Sequence, residues 1–150
     1  MGHLNDLESH GQAVWLDFVD RKFLNEGGLT KLVTEDGVSG VTSNPSIFEK
    51  AMGHGTAYDE SLAAFDKANP EASAMARYEH LAIEDIQNAA DTLRPIYDRL
   101  NGKDGYVSLE VSPKLAEDTD GTIAEAVRLW AAVDRPNLMI KIPGTPEGVP

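Results

Sequence analysis

Four short segments carry apolar residues almost without interruption, and the stretches between them space their apolar residues three and four apart. The short segments are Ala13–Phe18 (AVWLDF), Gly40–Ser43 (GVTS), Tyr106–Val111 (YVSLEV) and Leu138–Ile142 (LMIKI). The first, third and fourth are nearly continuous apolar runs with β-branched or aromatic members. Runs of that kind suit a parallel sheet covered on both faces.

The intervening stretches read as helices. Asp20–Leu24 and Leu29–Val33 flank Gly27-Gly28. Pro45–Met52 starts with proline just after Asn44, a good N-cap. Thr56–Lys67 follows a Gly53-His54-Gly55 loop. A long helix is predicted from about Pro70 to Leu93, with Met75, Ala82, Ile86, Ala89, Ala90 and Leu93 on its apolar stripe. Pro95 should end or kink it. Asn101-Gly102 and Asp104-Gly105 mark a turn before the third strand. Asp120–Val133 places Ile123, Ala126, Val127, Trp130 and Val133 on one face. Trp15 and Trp130 read as core residues, and His80 as solvated.

Alternating strands and helices imply right-handed crossovers and a parallel sheet. An open doubly wound sheet and a closed (β/α)8 barrel both use that order. The chain stops at Gly148-Val149-Pro150, just after the fourth strand. A barrel normally takes about 250 residues. The expectation is therefore a part of one domain, truncated after strand four.

Composition narrows the chemistry. The 150 residues include no cysteine, which excludes disulfides, thiolate nucleophiles and Cys-based zinc sites. Acidic residues outnumber basic ones 25 to 13, for a formal charge of −12. Such a field repels nucleic acid and anionic lipid. A phosphorylated substrate would need a local basic or backbone-amide site. No run of about 18 apolar residues occurs, and Met1–Gly11 lacks the features of a secretory signal. A cytoplasmic setting is expected, with no membrane and no nucleic-acid partner. His3, His10, His54 and His80 lie far apart, so no metal site is expected. No GxGxxG or GxxxxGK[ST] supports nucleotide binding.

The informative residues break the apolar runs. Lys141 sits in LMIKIPG. A lysine in a buried strand needs a partner or a neutral state, and a neutral amine is the nucleophile that forms Schiff bases. A strand-end lysine reaching solvent fits the same residue. Glu110 in SLEVSP and Asp17 in WLDF are carboxylates in similar positions, and each alone also reads as a structural partner or cap. Asn44 in TSNP alone reads as a helix cap. By alternation, Ser108 and Glu110 share a face, as do Met139 and Lys141. Together, each strand carries one such group near its C-terminal end: Asp17, Asn44, Glu110 and Lys141. Active sites of (β/α)8 enzymes are built there from several strands. One amine, two carboxylates and one amide suffice for carbonyl chemistry.

VWLDF, DGVSGVTSNPSIFEKA, DGYVSLEVSP and RPNLMIKIPGTPEG resemble transaldolase, most closely the bacterial branch that also occurs fused to glucose-6-phosphate isomerase. The resemblance runs through essentially the whole chain. It implies the N-terminal half of a (β/α)8 barrel (strands 1–4), with residues 1–150 as part of a single barrel domain. It implies no cofactor and phosphorylated sugars as substrates, in the pentose phosphate pathway. Lys141 is implied as the Schiff-base lysine and Glu110 as a proton carrier through a water. Asp17 is implied as acid/base at the donor hydroxyl when the C–C bond breaks. Asn44 is implied as a ligand of the carbinolamine hydroxyl or the donor. Thr42 and Ser43 of TSNP are candidate substrate-binding residues, Thr42 positioning the water or the glutamate. The family's phosphate-binding Arg and Ser residues belong to later strands.

Three readings follow. The first is transfer of a dihydroxyacetone unit between sugar phosphates. The second is a Schiff-base aldolase that releases dihydroxyacetone, served by the same lysine and Asp17. The third is a non-catalytic half-barrel fragment.

Overall fold

The computed structural model describes residues 3–150, with side chains from Leu4 onward; Met1, Gly2 and the side chain of His3 lie outside it. One sheet holds four parallel strands in chain order: β1 (Trp15–Leu16), β2 (Gly40–Val41), β3 (Val107–Glu110) and β4 (Leu138–Lys141). Each lies within the segment its apolar run marks. Between β1 and β2 come α1 (Arg21–Asn25), α2 (Gly28–Lys31) and a π-helical turn, Leu32–Asp36. Between β2 and β3 come α3 (Pro45–Met52), α4 (Asp59–Ala68) and α5 (Ala74–Arg99), and between β3 and β4 comes α6 (Thr119–Val133).

Local chemistry sets the helix starts. Asp20, Asn44, Ser73 and Asp118 each stand in an N-cap and accept the N–H of the residue three further on. Such a cap contributes about 1 kcal/mol. Pro45 at the first position of α3 needs no N–H partner there.

Alternation along the strands splits the sheet into two faces. Val41, Val107, Leu109 and Leu138 are buried with Ile86, Ala89, Ala90 and Leu93 of α5, Leu129 and Val133 of α6, and Phe48 of α3. The run of alanines lets α5 lie close on the sheet, and each buried Leu or Val side chain contributes about 1.5–3 kcal/mol. The register pairs Ser108 with Met139 and Glu110 with Lys141, so those four residues belong to the opposite face.

Several helix expectations are corrected. Pro95 does not end the long helix, which runs on to Arg99. Pro95 and Asp91 are both exposed, so water can take the place of the N–H that proline lacks, while Ile96 is buried and anchors the continuation. Met75, placed on the apolar stripe by its spacing, is exposed. On α6 the buried residues are Thr122, Leu129 and Val133, and the stripe of Ile123, Val127 and Trp130 faces outward. Trp130 is therefore not a core residue. Trp15 is half-buried and its indole N–H donates to Asp104. His80 is not freely solvated: its ring stacks on Phe65 and its Nε2 lies 3.4 Å from Glu84.

A buried polar cluster joins α1 and α5 to the residue that precedes α4. The Arg21 guanidinium donates to Asp85 at 2.7 Å and to the Leu81 carbonyl at 3.0 Å, and pairs with Glu84 at 2.9 Å. The Tyr58 hydroxyl donates to the other Asp85 oxygen at 2.7 Å and accepts from the Arg21 N–H. Burial pushes the Asp85 carboxyl up, against the pull of Arg21 and Tyr58. Burial also pushes the Tyr58 hydroxyl up, with the Asp85 charge adding to it.

Candidate active site

The four polar groups all stand at the C-terminal ends of their strands. Lys141 and Glu110 are the last residues of β4 and β3, Asp17 follows β1 directly, and Asn44 follows β2 in the turn that starts α3. Parallel pairing puts these ends on one rim of the sheet.

Register then decides which side chains meet. Glu110 and Lys141 are paired residues on neighbouring strands, and their side chains form an ion pair of 3.0 Å. The lysine side chain is 39 % exposed and the glutamate 22 %. The ammonium also donates to the main-chain carbonyl of Ser43 at 2.7 Å. Lys141 is thus held by groups from two other strand ends, one able to take a proton and one not. It is a half-buried, paired strand-end lysine.

The turn after β2 is fixed by hydroxyls. The Ser108 hydroxyl donates to Thr42 Oγ1 at 3.1 Å. Ser43 is wholly buried, and its hydroxyl donates to the Ser108 carbonyl at 2.6 Å. Its hydroxyl therefore faces β3. Asn44 uses Oδ1 to cap Ile47 at 3.0 Å, which leaves its Nδ2 donors for another partner. Asp17 is exposed beside this turn, where the Thr42 N–H donates to the Leu16 carbonyl at 2.8 Å. Lys141, Glu110, Ser43, Ser108 and Thr42 form one connected set. Asp17 and Asn44 stand on the same rim without bonds to it.

A cavity of ≈ 280 Å³ lies on the helix side of Glu110, lined by Tyr78, Ile83, Leu109 and Leu129 among others. Lys141 does not line it. Burial pushes the Tyr78 hydroxyl up, with the Glu110 charge adding to it. Among the described residues, no three His, Asp or Glu side chains cluster in a way that could hold a metal ion, and no helix is long and apolar enough to cross a membrane.

A family model described as Transaldolase/Fructose-6-phosphate aldolase matches residues 14–150, which include every strand and every residue of the rim. The chain belongs to that family. Its four parallel strands are part of the family's (β/α)8 barrel. Among its relatives is the transaldolase of Thiobacillus denitrificans, 53 % identical over 99 % of this chain and 41 % of that protein. The transaldolase of Thermobifida fusca is 51 % identical over 98 % of this chain and 39 % of its own length. That of Trichodesmium erythraeum is 45 % identical over 99 % of this chain and 38 % of its own length. The chain thus spans about two fifths of these relatives.

Ser108 joins the set through its hydroxyl and its carbonyl. Its alternation with Glu110 put it on the right face, but nothing in one sequence shows a hydroxyl reaching across to Thr42.

Proposed function

We propose that the protein carrying this chain is a transaldolase acting through a Schiff base on Lys141. The observation that carries the reading is the Lys141–Glu110 pair, in register at the ends of β4 and β3. The relatives, which are transaldolases, support it.

A proton passes from the ammonium to Glu110, directly or through a water. The freed amine attacks the keto carbon of a ketose phosphate such as fructose 6-phosphate or sedoheptulose 7-phosphate. The resulting carbinolamine loses its hydroxyl as water, with Glu110 supplying the proton, and an iminium forms. Asn44 Nδ2 and Thr42 orient the hydroxyls. Asp17 takes the proton of the donor's C4 hydroxyl as the C3–C4 bond breaks. An aldose phosphate leaves, and the dihydroxyacetone unit stays on the lysine as an enamine. The enamine attacks the aldehyde of glyceraldehyde 3-phosphate or erythrose 4-phosphate, Asp17 returns its proton, and hydrolysis frees the new ketose and the amine. That exchange belongs to the pentose phosphate pathway, in the cytoplasm.

The full-length natural protein is incubated with fructose 6-phosphate and reduced with borohydride. The expected product carries the added mass on Lys141. Label on another residue, or none, overturns the proposal.

The family description names a fructose-6-phosphate aldolase beside transaldolase, which favours one second reading. Product analysis with and without erythrose 4-phosphate separates them. Full-rate release of dihydroxyacetone without the acceptor supports the aldolase.

A further inference from the structure

The end of β2 departs from regular pairing. The Val41 N–H donates to the Tyr106 carbonyl, so a continuing parallel ladder would put the Ser43 N–H on the Ser108 carbonyl. That carbonyl instead accepts the Ser43 hydroxyl at 2.6 Å, while the Ser43 N–H points to the Ser108 hydroxyl at 3.4 Å. Two serines replace the last rung. The Ser43 carbonyl lies 2.7 Å from the Lys141 ammonium.

We propose that Ser43 is a positioning residue for Lys141: its buried hydroxyl, locked on β3, fixes the main-chain carbonyl that aims the amine. This rests on the reading of Lys141 as the reacting group. The division of labour is chemical. Glu110 accepts a proton, and the Ser43 carbonyl does not. After the proton moves to Glu110, one N–H stays on the carbonyl and the new lone pair takes a fixed direction. Rotation of the amine is restricted before the keto carbon arrives. Ser43 is wholly buried, with its hydroxyl already engaged, so it acts through Lys141 and not on the sugar.

The test uses the full-length natural protein. Ser43→Ala removes the hydroxyl and keeps the carbonyl, now free to shift. The expected result is a fall of about ten- to a hundredfold in kcat and in the rate of borohydride trapping on Lys141. KM is expected to stay within about twofold, as for a step lost after binding. Ser43→Thr keeps the hydroxyl and is expected to restore most of both rates. Ser43→Cys, a poor donor of similar size, serves if Ser43→Ala does not fold, and is expected to behave like it. Wild-type kcat and trapping rate in Ser43→Ala or Ser43→Cys, or a change in KM alone, overturns the positioning role. Absence of any adduct on Lys141 in the wild-type protein overturns the Schiff-base reading and this inference with it, so the two failures are told apart.

Discussion

Lys141 and Glu110 face each other across paired strands, and their side chains meet at 3.0 Å. The contact follows from registry: one step along β4 would replace the lysine with Ile140 or Ile142 and turn the amine away. A carboxylate this near an amine can both hold its charge and accept its proton.

Glu110→Gln keeps the shape and removes the proton acceptor. In the full-length natural protein, kcat is expected to fall about 10²–10⁴-fold, the usual contribution of general acid–base catalysis. KM is expected to change little, because the Ser43 carbonyl still holds the amine. Steady-state kinetics with a ketose phosphate donor and an aldose phosphate acceptor checks this. Unchanged kcat would remove Glu110 from the proton path.

Tyr58→Phe tests the buried cluster of Arg21, Tyr58 and Asp85. The hydroxyl donates to Asp85 Oδ2 and accepts from the Arg21 N–H, so its loss takes that partner from each in a dry setting, while Asp85 Oδ1 keeps the Arg21 guanidinium. The expected destabilisation is about 1–3 kcal/mol. Denaturant unfolding of wild type and variant measures it. A variant as stable as wild type would show that water substitutes for the hydroxyl.

The rim was legible in the sequence because its residues break apolar strands. Asp17, Glu110 and Lys141 stand where burial predicts Val or Leu, and Asn44 before Pro45 marks a strand-to-helix turn. Arg21, Tyr58 and Asp85 were not legible. They lie 37 and 27 residues apart and meet only through packing of α5 on the segments before it. The α6 stripe misled for a related reason. Ile123, Val127 and Trp130 have core spacing, yet the sheet takes the neighbouring face through Thr122, Leu129 and Val133. Periodicity shows that a helix is amphipathic, and it leaves open which of two adjacent apolar faces is buried.

Gly105→Ala tests the turn that launches β3. Gly105 has φ +88, and a Cβ there would lie 2.3 Å from the Tyr97 main-chain nitrogen. The backbone of α5 cannot step aside as a flexible side chain could. Strain and overpacking each cost about 1–3 kcal/mol, so a loss of about 2 kcal/mol or more is expected. Thermal unfolding checks it. A melting point equal to that of wild type would mean the turn relaxes without cost.

Glu8 and Arg99 link the N-terminal 3-10 segment (His3–His10) to the last turn of α5, with both Arg99 amino groups donating to the carboxylate at 2.7 and 3.0 Å. The Arg99 hydrogen bonds hold the Glu8 carboxyl below its ordinary value of 4.5. In that window the unfolded chain binds the proton and the native chain does not, so stability rises with pH. The gain is complete above the unfolded midpoint and lost as pH falls through the native one. Both side chains are 55 % exposed, which limits the pair to under about 1 kcal/mol. The unfolding free energy of wild type minus Glu8→Gln is expected to be positive at pH 7, to shrink below about pH 4.5 and to weaken at high salt. A difference that ignores both pH and salt would mean that Glu8 acts by packing and not by charge.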